Sequence, residues 1–194
     1  MNQIFSTSTA FFSKGIFNDE DLLARCVIDA EPHLEERPNV VIYGKVMRQP
    51  RDVGFFSDVS HGYRYAKNTM CSKPLTPALS ELIRTINSII GSEFNGILIN
   101  KYRDGTDHIC AHSDDETRLD ANGVVSISYG AVRNFRIREK GTKKIVCDEP
   151  TTHCSIFHMG GDFQKLYTHE IPVQKKIKEP RISFTFRKHR CECE

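Results

Sequence analysis

From Phe94 to Lys188 apolar residues recur at every second position in short runs broken by Gly, Asp, Asn and Pro, a period that confines this half of the chain to strands. The runs fall near 95–103, 123–130, 133–139, 142–148, 153–159, 167–173 and 181–188. Ahead of them the dominant period is helical. Thr76 as N-cap, Pro77 at the first helical position, a stripe of Leu79, Leu82, Ile83, Ile86 and Ile90, and Gly91 as the stop predict a helix over 76–90. Asn18 or Asp19 caps an earlier helix over 21–30, with Leu22, Leu23, Cys26 and Val27 on its apolar side. Phe11–Phe17 and Val40–Tyr43 read as short strands, the second entering a turn at Gly44 and Lys45, and Gly54–Ser60 reads as a loop. Helices followed by some seven strands predict an α+β, mainly β chain, a sandwich or jelly roll backed by N-terminal helices.

With 194 residues, 39% of them hydrophobic, the chain suits a single domain over 1–194. Its pieces are a helical N-terminal part (1–92), the strand-rich core (93–189) and a short tail (190–194). A formal charge of +2 is too small to imply nucleic acid by itself, so a basic footprint has to come from clustering. Clusters stand at Lys45, Arg48 and Arg51, at Arg133, Arg136, Arg138, Lys140, Lys143 and Lys144, and at Lys175, Lys176 and Lys178. Each suits phosphates or simply a solubilising face. Seven cysteines without a CxxC pair fit reduced thiols in an intracellular compartment, nucleus or cytoplasm. Cys191 and Cys193 form a C-x-C without further ligands. Met1–Phe17 lacks a basic n-region, and no apolar run reaches the ~20 residues that span a bilayer, so no membrane association is expected.

Chemistry concentrates in two places. His112 and Asp114 stand two apart in an extended segment, where i and i+2 point the same way and can converge on one metal ion once a distant histidine joins them. In Arg181–Lys188 the period of two puts Arg181, Ser183, Thr185 and Arg187 on one face and Ile182, Phe184 and Phe186 on the other. Two arginines on an inward face require anions, and a dicarboxylate would satisfy both; a half-solvated strand with its arginines outward is the alternative. Tyr63 and Tyr65 flank Arg64 on one face of a short strand, as a flat-ligand platform or as a core pair.

His112-x-Asp114, His169, and Arg181 and Arg187 in the string P-R-I-S-F-T-F-R make residues 38–188 resemble the AlkB family of Fe(II)- and 2-oxoglutarate-dependent dioxygenases. The likeness is nearest to the nucleic-acid-dealkylating, DNA-repair branch, through Asn100-x-Tyr102-x-Asp104-Gly105-x-Asp107-His108. The resemblance implies a double-stranded β-helix, with nucleotide-recognition and lid strands ahead of it and an iron site at one open end. Its ligands would be His112, Asp114 and His169. Arg181 would hold the remote carboxylate of 2-oxoglutarate with Asn100 and Tyr102, Arg187 would approach the carboxylate nearer the metal, and Ser183 and Thr185 would line the pocket. Ser183 departs from the asparagine usual there. The implied reaction uses O2 and 2-oxoglutarate to hydroxylate N-methyl groups of 1-methyladenine or 3-methylcytosine in DNA or RNA, reversing alkylation damage. Tyr63, Tyr65, Glu116 and Arg51 would contact the extruded base and its surroundings. Ile42 and Tyr43 resemble a wedge into the base stack, and Lys175 and Lys176 a loop laid on the opposite strand, with Gln174 where a basic residue is usual. A monomer is expected. A protein or small-molecule substrate for the same chemistry, or a binding module without catalysis, are the rival readings.

Overall fold

The computed structural model describes residues 1–42, 44–65, 68–114 and 123–189, and the side chains of 42, 64, 65, 68 and 69 lie outside that description. In chain order the strands are β1 (Asn2–Ser6), β2 (Ala10–Ile16), β3 (Asn39–Ile42), β4 (Lys45–Arg48), β5 (Asp52–Phe56), β6 (Gly62–Tyr65), β7 (Asn68–Cys71), β8 (Gly96–Tyr102), β9 (Ile109–His112), β10 (Val124–Gly130), β11 (Asn134–Glu139), β12 (Ile145–Pro150), β13 (Ser155–Gly161), β14 (Tyr167–Ile171) and β15 (Arg181–Arg187). The helices are α1 (Glu20–Ala30), α2 (Pro77–Ile90) and the short α3 (Phe163–Leu166). A major sheet runs β1-β2-β13-β10-β15-β8-β5, a minor sheet β12-β11-β14-β9, and β3-β4 and β6-β7 are separate hairpins. Every pairing within these sheets is antiparallel.

Alternation along the strands of the major sheet builds two cores. Ile97, Ile99, Val125, Ile127, Phe184 and Phe186 face outward under α1 and α2, which contribute Leu22, Leu23, Leu79, Leu82 and Ile86. Each such side chain, fully buried, contributes about 2 kcal/mol. The opposite face supplies Phe12, Val124, Phe157 and Met159, which meet Phe135, Ile137, Ile109 and Ile171 of the minor sheet. The expected jelly-roll sandwich backed by helices is therefore the observed one. The helix ends are also as expected: Thr76 accepts from the Leu79 amide, Gly91 sits at φ +70°, and Asp19 caps α1.

Two local expectations are corrected, and two strands, β1 and β9, have no counterpart in the expected set. Residues 52–56, which run into the stretch read as a loop, form β5, the wholly buried edge strand on β8. Both of its faces are covered, so no polar alternation marks it, and a Cβ on Gly54 would press on the Leu34 side chain, 2.8 Å from its Cδ2. β1 pairs with β2 although it is exposed and polar in places. β9 is a strand of its own, and β12 lies three residues later than expected because Thr142 and Lys143 belong to the preceding turn, with Lys143 at φ +62°. Among the described residues no helix is long and apolar enough to cross a membrane.

Candidate active site

β9 and β14 deliver the first two groups. His112 pairs with His169 and Ile109 with Ile171, so Cys110 and Ala111 together oppose Glu170 alone, a bulge. Counting by twos from the inward Ile109 would turn His112 outward; the extra residue turns it back toward His169. The two rings lie 4.4 Å apart. Asp114 follows just beyond the strand, where Gln164 of α3 accepts from its amide at 2.9 Å and Ser113 donates to the Tyr167 carbonyl. Nε2 of His112 stands 3.8 Å from Oδ1 of Asp114, and Nε2 of His169 3.6 Å from its Oδ2. One ligand atom from each of the three residues lies within 4.8 Å of the others.

His112 donates from Nδ1 to the Cys110 carbonyl at 2.9 Å, which leaves Nε2 with its lone pair toward the cluster. His169 is buried, stacked on Phe135 at 5.2 Å, and its Nδ1 has no hydrogen-bond partner among the described residues. Burial, then the neighbouring His112, pushes the His169 imidazole down to about 3. Burial also lowers His112. For Asp114 burial works the other way, but Arg187 and the two imidazoles outweigh it and hold the carboxyl well below the usual range. The result is two neutral imidazoles and one carboxylate at the same point, with Asp114 Oδ2 buried and unbonded, a donor set that fits a divalent first-row metal.

A second trio, Glu20, His153 and Cys154, is equally close in space. It does not offer the same chemistry. Nδ1 of His153 accepts from the Gly130 amide at 3.0 Å, so the ring proton sits on Nε2, facing Glu20 at 3.0 Å, and no lone pair is left there for a metal. Burial raises the Cys154 thiol away from its thiolate form.

β15 forms the other wall. It is central in the major sheet, Arg181 opposite Tyr102, Ser183 opposite Asn100 and Thr185 opposite Leu98, and all seven of its residues are buried. The arginines therefore face inward, and the half-solvated alternative is set aside. Arg181 is 2% exposed; it donates from Nη2 to Ser128 Oγ at 2.8 Å and lies 5.3 Å from the Tyr102 ring, while Nε and Nη1 have no hydrogen-bond partner among the described residues. Burial pushes its guanidinium down to about 10, against the pull of the Tyr102 phenol. Among the described residues it has no carboxylate partner, so it fits an anion entering the cavity. Arg187 donates to Asp114 Oδ1 at 2.5 Å and stacks over the Tyr63 ring at 4.5 Å. It thus meets the metal-facing carboxylate itself.

The cavity between the walls is lined by Asn100, Tyr102, Arg181, Ser183, Thr185 and Arg187 together with His112, Asp114, His169, Tyr63 and Arg51. Arg51 donates from Nε to Asn100 Oδ1 at 2.8 Å, inside the pocket rather than on a phosphate-facing surface. Tyr63 is buried with Val53, Phe55 and Leu98, so it is a core residue that also reaches the pocket. Glu116 and Tyr43 lie outside the described residues, as do the side chains of Ile42 and Tyr65, whose backbones belong to β3 and β6. Lys175, Lys176 and Lys178 are exposed in the loop after β14. Sequence reasoning missed Ser126 and Ser128, whose small polar side chains alternate along β10, and Gln164, which carries no signal without Asp114 beside it.

For its three arginines the central basic cluster is corrected. Arg133 is 1% exposed and donates to the carbonyls of Asp104, Asp107 and Pro172. Arg136 pairs with Asp148 and Arg138 with Glu170. These three arginines already have partners within the protein, Arg133 buried and Arg136 and Arg138 partly exposed, whereas Lys143 and Lys144 of the same cluster are exposed.

Residues 17–187 match the family model described as the 2OG-Fe(II) oxygenase superfamily. The chain belongs to that superfamily. It is 34% identical over 157 residues to human DNA oxidative demethylase ALKBH2, covering 77% of this chain and 60% of the relative. It is 32% identical over 150 residues to human alpha-ketoglutarate-dependent dioxygenase alkB homolog 3, covering 72% and 52%. The chain thus spans about half to three fifths of these relatives' length. The solved structure of OsALKBH1 superposes with a TM-score of 0.60 over 95% of this chain and all of the other at 14% identity, a likeness of fold.

Proposed function

We propose that this 2OG-Fe(II) oxygenase removes alkyl groups from nucleobases of DNA or RNA. The observation that carries the reading is one cavity in which a His112–Asp114–His169 donor set faces a buried Arg181 with no carboxylate partner among the described residues. The names of the relatives give the substrate class. Iron would be held by His112, Asp114 and His169. The 2-oxoglutarate carboxylate remote from it would lie on Arg181, with Ser128, Tyr102 and Asn100 around it. With O2 and 2-oxoglutarate, iron bound there supplies the oxidation of an N-methyl group to a hydroxymethyl group, which leaves as formaldehyde.

The protein's own contribution is placement. Gln164 holds the Asp114 backbone amide, Arg187 holds its carboxylate, and the Cys110 carbonyl fixes the His112 tautomer. Phe135 and Ile171 keep the cavity wall apolar, which strengthens every charge contact inside. Tyr63, Tyr65 and Glu116 are proposed to receive an extruded 1-methyladenine or 3-methylcytosine, and the exposed Lys175 and Lys176 to lie on phosphates. A monomer in the nucleus or cytoplasm completes the proposal.

The test is aerobic incubation with Fe(II) and 2-oxoglutarate on oligonucleotides carrying either base, single- and double-stranded, following succinate and the restored base. His169→Ala should abolish both. Succinate without base repair would point to another substrate, and binding without succinate would overturn the enzymatic reading.

A further inference from the structure

The Asp104–His108 turn lies between β8 and β9, ending four residues before His112, and no catalytic role absorbs it. Its contacts run in two directions. On one side Asp107, 2% exposed, accepts from Arg37 Nη2 at 2.7 Å and from the Arg103 amide at 2.9 Å. Arg37 sits at the foot of the β3-β4 hairpin in a left-handed conformation, φ +43°, with its amide on Asp52 and its carbonyl accepting from Arg48 Nε at the other foot. Arg103 reaches Asp52 at 2.9 Å and Glu36 at 3.1 Å, and the His108 amide donates to the Pro50 carbonyl. Both feet of the hairpin are therefore tied to this turn.

On the other side the turn holds the basic loop. The Gly105 amide donates to the Ile177 carbonyl at 2.9 Å, and the Gln174 amide donates to the Gly105 carbonyl at 2.7 Å. A Cβ on Gly105 would stand 1.8 Å from the Gln174 carbonyl oxygen. Arg133 fastens the same junction, donating to the Asp104 and Asp107 carbonyls and to Gln174 Oε1, which also accepts from the Asn134 amide. This explains why residue 174 is an amide: it needs an acceptor beside a buried arginine, where a second cation would be repelled.

We propose that Asp107 and Gly105 are positioning residues that set the span between the β3-β4 hairpin and the Gln174–Lys178 loop, and so the fit of an extended nucleic-acid strand, without touching it. The inference rests on the demethylase reading above. A substrate of two or three nucleotides occupies the pocket alone and needs neither arm; a strand of about twenty needs both in register.

The experiment compares wild type with Arg37→Gln, Asp107→Asn and their double variant on methylated trinucleotides and on 20-mers of the same lesion. For the 20-mer KM should rise about tenfold in each single variant, since each loses one charge-assisted bond to a buried group. The double variant should be no worse than either single, because both remove the same contact. Trinucleotide kcat and KM, and KM for 2-oxoglutarate, should stay within twofold. Equal loss on both lengths, additive losses, or no change on the 20-mer would each overturn the proposal. If Asp107→Asn does not fold, Arg37→Gln, on a side chain one third exposed, carries the length comparison alone. A wild type that repairs no methylated oligonucleotide overturns the demethylase reading, whereas a wild type that repairs both lengths with variants failing equally on both overturns the junction only.

Discussion

Arg181 is the residue whose burial asks most for a ligand, since its guanidinium is covered, held only by the hydroxyls of Ser128 and Tyr102 and unopposed by any carboxylate among the described residues. Arg181→Met should therefore stabilise the ligand-free protein by about 2 kcal/mol, as loss of an uncompensated buried charge does. At this chain length that is a rise of roughly 4–8 °C in Tm. The same variant should lose the further rise that 2-oxoglutarate gives wild type, and paired thermal melts with and without the diacid check both halves. His169 gives the acid response. Its folded value is near 3 against an ordinary 6.5, so between those values the unfolded chain takes up a proton that the folded one refuses. Its contribution is complete above 6.5 and lost as the pH falls toward 3; Asp114, also depressed, adds to the loss below its ordinary 3.8. Metal-free protein should melt lower at pH 5 than at pH 7, and His169→Asn should flatten that difference. The inward arginines of β15 were legible because period two and a core of Ile182, Phe184 and Phe186 settle their face. Arg133 was not, because its partners are carbonyls 26 to 39 residues away that no local pattern announces.

Elements place these residues more finely than their sequence periods reveal. β15 and α2 were readable because alternation or a cap-to-stop frame covers their whole length. β9 was not separable from its surroundings, since four residues with a bulge carry no regular period, and Cys110 and Ala111 are not residues that mark one. The four-residue α3 was equally silent, yet through Gln164 it holds the backbone amide of Asp114, whose carboxylate faces the metal position. Gln164→Ala removes the acceptor of the Asp114 amide while leaving Phe163, the buried anchor of that helix, in place. Metal affinity should fall about tenfold, the lower end of what loss of a ligand-orienting partner costs. Titration of the metal-free protein with Co(II) or Fe(II) checks this, and an unchanged dissociation constant would mean that Arg187 alone positions Asp114.

At the scale of the whole molecule, the two-sheet sandwich puts the reactive side chains between its layers and keeps α1 and α2 outside the major sheet, away from the cavity. That layering was legible from the change of period at Phe94; the entry of β2 and β5 into the same sheet was not, because pairing between residues far apart in the chain leaves no local trace. The same long-range folding decides which cations remain for a polyanion. Arg133, Arg136 and Arg138 are consumed by internal partners, whereas Lys175 and Lys176 stand exposed on a loop held to the Asp104–His108 turn. A net charge of +2 gives no general attraction to set against them, so a few local contacts should dominate the ionic part of binding. Each phosphate contact contributes a slope of roughly −0.9 in log K against log salt on duplex DNA, or about −0.7 on a single strand. Lys175→Ala/Lys176→Ala should therefore reduce the slope by between one and two and weaken binding about equally for methylated and unmethylated oligonucleotides, because phosphates carry no record of the lesion. Fluorescence anisotropy from about 50 to 200 mM salt measures both quantities. A double variant that keeps the wild-type slope, or that loses preference for the methylated strand, would move the polyanion contact off this loop.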